Sequence, residues 1–124
     1  MSSEALPVAP PAVQADLAAA TTDAPLRSSE NALAVLEVDL SRQLRFAANK
    51  VVITNQRLLS RFPNETGWQS WDLRPGLTLT HHDHAGVGTL ELRDAAGQLA
   101  VWRFTLGQNQ AALRFLWQFE HAMA

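Results

Sequence analysis

From residue 31 onward the apolar residues come in short runs separated by turn formers. "ALAVLEVDL" (32–40) sets Leu36, Val38 and Leu40 against Glu37 and Asp39, the period-2 pattern of a strand with one wet face. "KVVIT" and "RLLSRF" then flank Asn55-Gln56, which reads as a hairpin with an Asn-led turn that lacks glycine. After the turn "PNETG", "WQSWDL" (68–73) puts Trp71 and Leu73 on one face and Trp68, Ser70 and Asp72 on the other. "RPG" breaks the chain, and "LTLTHHDH" resumes with Leu77 and Leu79 on a common face. "GVGTLELRD" sets Leu90 and Leu92 against Glu91 and Arg93. Beyond the "AAGQ" turn, "LAVWRFTL" (99–106) alternates Leu99, Val101, Arg103 and Thr105 with Ala100, Trp102, Phe104 and Leu106. Seven strands spaced roughly 8 to 12 residues apart, with Gly or Pro at several junctions, predict an antiparallel sandwich or barrel rather than βαβ units.

The last segment changes period. In "NQAALRFLWQFEHAMA", Ala112, Phe115, Leu116 and Phe119 fall at i, i+3, i+4 and i+7, and Ala111, Leu113 and Trp117 widen the apolar side. This predicts one helix laid against the β core, with Asn109 as its N-cap. Trp102 and Trp117, each inside an apolar pattern, are expected to fill the barrel.

Residues 1–30 have a different texture: eight Ala, four Pro and only scattered larger apolar side chains, too little to offset the entropy of ordering a backbone. They read as a disordered leader, with the domain spanning 31–124. A rival reading makes "AVQADLAAATTDA" a helix that docks through Leu17, since Ala favours helix, although the flanking prolines and narrow apolar stripe keep it marginal.

Charge and composition exclude several functions. The leader holds four acids (Glu4, Asp16, Asp23, Glu30) and one base (Arg27), while the remainder carries nine Arg/Lys against eight Asp/Glu. Neither part has the dense basic field that nucleic acid or an anionic membrane requires. The chain contains no cysteine, so disulfide frameworks, thiolate zinc sites and cysteine nucleophiles are ruled out. No secretory signal or membrane-spanning run is present in the sequence, and a cytoplasmic domain is expected.

Seven strands followed by one amphipathic helix is the order of the pleckstrin-homology (PH) superfold. "VVITNQRLL" resembles the strand-turn-strand element of bacterial PH-like domains, whose "V-T-x-x-R-L" pattern is matched by Ile53, Thr54, Asn55, Gln56, Arg57 and Leu58. "GTLELRDAAGQLAVWRFTLGQNQAALRFLWQFE" looks like the closing hairpin and helix of the same modules, and the likeness extends over residues 32–122. The chain is also similar to the N-terminal soluble domain of some proteobacterial ABC exporters, with "THHDHAGVGTLELRD" the most recognisable part.

The resemblance implies a PH-like seven-stranded antiparallel barrel or sandwich capped by the C-terminal helix. It implies a non-catalytic interaction or regulatory module whose partner is a protein, such as the membrane or ATPase domains of an exporter. Such a domain would sit at the inner face of the membrane through the attached transporter. The sequence contains no Walker A motif, so the chain would be only the appended domain. No Lys/Arg cluster flanks the hairpin, so phosphoinositide binding does not carry over.

The candidate chemistry is sparse. "HHDH" gathers His81, His82 and His84 with Asp83; on a strand, His82 and His84 share one face, but no Cys or H-E-x-x-H spacing completes a ligand set. A metal- or small-ligand-binding β-barrel built on these histidines is the alternative function. Ser41, Ser60 and Ser70 lie in no nucleophile elbow, and no placed carboxylate pair suggests acid–base work, so no catalytic residue and no cofactor are expected. Arg57 reads as an exposed partner of a nearby carboxylate or carbonyl rather than an anion grip. Trp68 and Trp71 cannot share an inner face, so Trp68, with Ser70 and Asp72, is the expected interaction surface.

Overall fold

The computed structural model describes residues 24–41, 46–61 and 67–124, the side chains of 46–48 excepted. The seven strands are β1 (Ala32–Leu40), β2 (Phe46–Thr54), β3 (Arg57–Arg61), β4 (Gln69–Asp72), β5 (Thr78–His84), β6 (Val87–Asp94) and β7 (Gly97–Thr105). A 3-10 turn, Leu106–Gln108, leads into one helix, α1 (Asn109–Met123). The expected PNETG turn falls largely outside the described residues.

All strand pairs are antiparallel, in the order β4-β3-β2-β1-β7-β6-β5. The sheet bends where β1 meets β7, at the single pair Leu40 and Arg103, so that β1–β4 face β5–β7. Leu36, Val38, Val51, Ile53 and Leu58 from the first half meet Leu79, Leu90, Leu92, Trp102 and Phe104 from the second in one core. Helix α1 closes this core with Ala112, Phe115 and Phe119, all buried.

The architecture is the expected helix-capped sandwich, but it is not a closed barrel. β4 and β5 are the two edges of the sheet and do not pair with each other. β4 is only four residues long, and Pro75 and Gly76, the latter at φ +90°, turn the chain between the edges without forming a ladder. A proline offers no N–H to a ladder, and a short strand offers few partners.

Three further expectations are corrected. Asn109 does not cap α1; it is the first helical residue, and its Oδ1 lies 2.8 Å from His81 Nε2. The turn into the helix is held instead by Asp39 of β1, which accepts from the Thr105 N–H (2.8 Å) and the Thr105 hydroxyl (2.6 Å). Trp117 does not fill the core: it is 41% exposed and stacks on His121 one turn away, their ring centroids 3.7 Å apart. Its neighbour Leu113 is also exposed, so the broad apolar side of the helix exceeds what the core can cover.

The third correction concerns the domain boundary. Residues 24–30, expected to be leader, belong to the fold, because Glu30 is buried against Arg57. Residues 1–23 lie outside the described residues.

Candidate interaction face

The β2–β3 turn is built around Thr54. Its hydroxyl accepts the N–H groups of Gln56 and Arg57, each at 3.0 Å, which satisfies donors that a turn without glycine leaves unpaired. The same hydroxyl donates to Glu30 Oε2 at 2.7 Å. Arg57 Nε donates to Glu30 Oε2 (2.8 Å) and Nη2 to Glu30 Oε1 (3.0 Å), a two-pronged guanidinium–carboxylate pair. The Arg27 N–H donates to Glu30 Oε1, and Arg57 Nη2 also donates to the Pro25 carbonyl, both at 2.9 Å or less.

The Glu30 side chain is fully buried and that of Arg57 is 10% exposed. Burial pushes the Glu30 carboxyl up, but the hydrogen bonds from Arg57, Thr54 and the Arg27 amide outweigh it and hold the group at about 2. Contact with Glu30 raises Arg57 from its ordinary value. Arg57 therefore does pair with a carboxylate and a carbonyl, but as a buried group rather than an exposed one. The Thr and Arg of the T-x-x-R pattern are both partners of this one acid.

Polar contacts extend the clamp. Asn55 pairs with Asn31 in both directions, N–H to Asn31 O at 3.2 Å and Oδ1 from Asn31 N–H at 2.8 Å. Arg27 Nη1 donates to Gln56 Oε1 (2.9 Å), and Gln56 Nε2 donates to Ser29 Oγ (3.1 Å). The Asn55-Gln56 turn thus serves as the dock on which the chain enters the sheet.

β4 lies beside this dock, with Arg57 opposite Asp72 and Leu59 opposite Ser70. Trp71 turns inward and meets Trp102 edge-on, their centroids 5.8 Å apart at 87°. Trp102 in turn donates its indole N–H to Ser60 Oγ at 2.8 Å, so the tryptophan buried deepest has its polar atom satisfied. Trp68 faces the other way just before β4. It is half-buried rather than exposed, with the Arg61 guanidinium 5.6 Å from its ring centroid. Ser70 and Asp72 are exposed, and Asp72 lies 3.8 Å from Arg27. β4 is the terminal strand of the sheet on this side.

The histidines are dispersed. His81 points inward over Phe104 and toward Asn109, while His82, Asp83 and His84 are exposed along the opposite edge strand. Among the described residues no group of three or more His, Cys, Asp or Glu side chains could hold a metal ion. The feature that a reading of the sequence misses is Glu30, which lies in an Ala/Pro-rich stretch; the one available signal is a T-x-x-R turn with no acid of its own. Comparison with family models, with curated proteins and with solved structures yields no match.

Proposed function

We propose that this domain is a non-catalytic, PH-like interaction module, the cytoplasmic N-terminal domain of an ABC-type exporter, and that it works by protein contact at the inner face of the membrane. The observation that carries this reading is the row Trp68, Ser70 and Asp72 at the edge strand β4, where a large aromatic, a hydroxyl and a carboxylate are presented side by side. Half-buried aromatics with polar neighbours serve as anchors for partner proteins. The near-neutral surface favours a protein over a polyanion. Among the described residues no helix is long and apolar enough to cross a membrane, so attachment to the bilayer is assigned to the transporter.

The test uses the full reading frame in native membranes. A photoreactive residue at Ser70 should crosslink to the ATPase or membrane domains of the exporter, and one at Gln98, on a different strand, should not. Equal labelling at both positions, or at neither while the domain is folded, would sink the proposal.

A further inference from the structure

Helix α1 turns one face to the core and leaves a second apolar stripe outside. Leu106, Leu113 and Trp117 are the large apolar side chains exposed among the described residues, and all three lie on this helix or on the 3-10 turn that enters it. Trp117 is held in place by His121, which stacks on its ring and sets its Nδ1 3.0 Å from the Trp117 carbonyl oxygen. A ring fixed before a partner arrives lowers the ordering cost of a contact.

The exposed positions around it follow one spacing. Gln110, Leu113, Trp117 and Glu120 are separated by three, four and three residues and share one face of the helix. Leu106 and Ala124 extend the stripe four residues beyond each end. This spacing reads the same in both directions, so an antiparallel second copy meets it in register. Leu113 then packs on the partner's Trp117, Leu106 on the partner's Ala124, and the Gln110 amide donates to the partner's Glu120, each contact made twice. Among the described residues neither Gln110 nor Glu120 has a side-chain partner in its own chain. A parallel copy would instead set the two Glu120 carboxylates against each other, like charge facing like.

We propose that this stripe is a self-association surface, on which two copies of the domain pack back to back through antiparallel α1 helices. A two-fold pair uses one patch twice, which a self-complementary row of side chains allows. The polar pair fixes the register, because a slip of one turn in either direction would set the Glu120 carboxylate against an apolar side chain. One helix face about 22 Å long is small beside the roughly 800 Å² per partner of a standard interface, so the association is weak and depends on concentration. The surface belongs to the helix and does not rest on the exporter reading.

Two measurements on the full chain decide it. Sedimentation from about 10 μM to about 1 mM should show a monomer passing toward a dimer, and Leu113→Asp, at an exposed position, should weaken the association about tenfold or more. A chain that stays monomeric throughout, or a folded variant that associates as well as the wild type, overturns the proposal. Orientation is read by crosslinking, since the chain lacks cysteine. Gln110→Cys and Glu120→Cys introduced together should oxidise to a covalent dimer, and either alone should not. Within one chain the two sites are about 15 Å apart along the helix, too far for an internal disulfide. A covalent dimer from a single variant would show parallel helices, and none from the double variant would show that the stripes do not meet. Either result defeats the proposal, whether or not Leu113→Asp folds.

Discussion

The ring of Phe104 lies directly over the backbone of Gly88, its cross-strand partner on β6. A Cβ at position 88 would penetrate the ring edge, and Phe104 is 0% exposed, so its ring would have to shift within the core. Gly88→Ala should therefore destabilise the domain by about 1–3 kcal/mol through overpacking, measured by denaturant unfolding. A neutral result would mean that the core beside His81 is loosely packed.

The buried acid gives the domain a pH signature. Glu30 has a lowered folded-state pKa, so its contribution is fully present above the ordinary carboxylate range and is lost as pH falls toward about 2. Glu30→Gln should cost roughly 3 kcal/mol at neutral pH, because it also leaves Arg57 buried without its counter-charge. The wild type's stability should fall between about pH 5 and pH 2 more steeply than the variant's. Parallel pH profiles for the two proteins would show that the clamp does not hold in solution.

The two β4-region tryptophans should separate stability from association. Trp71 leans on Trp102 at the edge of the core, and Trp71→Ala should cost roughly 2–3 kcal/mol in unfolding free energy. Trp68→Ala should leave the fold within about 1 kcal/mol of wild type yet weaken recovery of the proposed partner by more than about 1 kcal/mol. Melting and co-purification of both variants check this, and the reverse pattern would move the contact surface away from this strand.

On the helix, Phe115→Ala should cost about 3–5 kcal/mol, since its side chain is completely buried among strand residues. Trp117→Ala, two residues on, should cost less than about 1 kcal/mol because it removes only a stacked pair with His121 at the surface. Comparable losses at both sites, by urea unfolding, would show that the helix is rotated from this position.

Much of the architecture was written in local periodicity. Alternation placed five of the strands and the apolar runs flanking Asn55-Gln56 the other two, and alternation sent Trp71 and Trp102 inward because side chains on a strand must alternate. The 3.6-residue stripe of Ala112, Phe115 and Phe119 likewise marked the buried face of the helix. Periodicity says which residues share a face, but not which other element covers it. The apolar side of α1 is wider than the core it meets, so only the packing could leave Leu113 and Trp117 outside. The same limit applies to the open sheet, where a four-residue β4 and a proline link decided that the two edges do not meet. Polar partners are the hardest to read, because Glu30 and Arg57 are 27 positions apart and Asp39 and Thr105 are 66 apart. Composition made Glu30 one more acid in an Ala/Pro-rich leader; the tertiary structure made it the buried anchor of the N-terminal segment, because only the folded turn converges an arginine, a hydroxyl and an amide on one carboxylate.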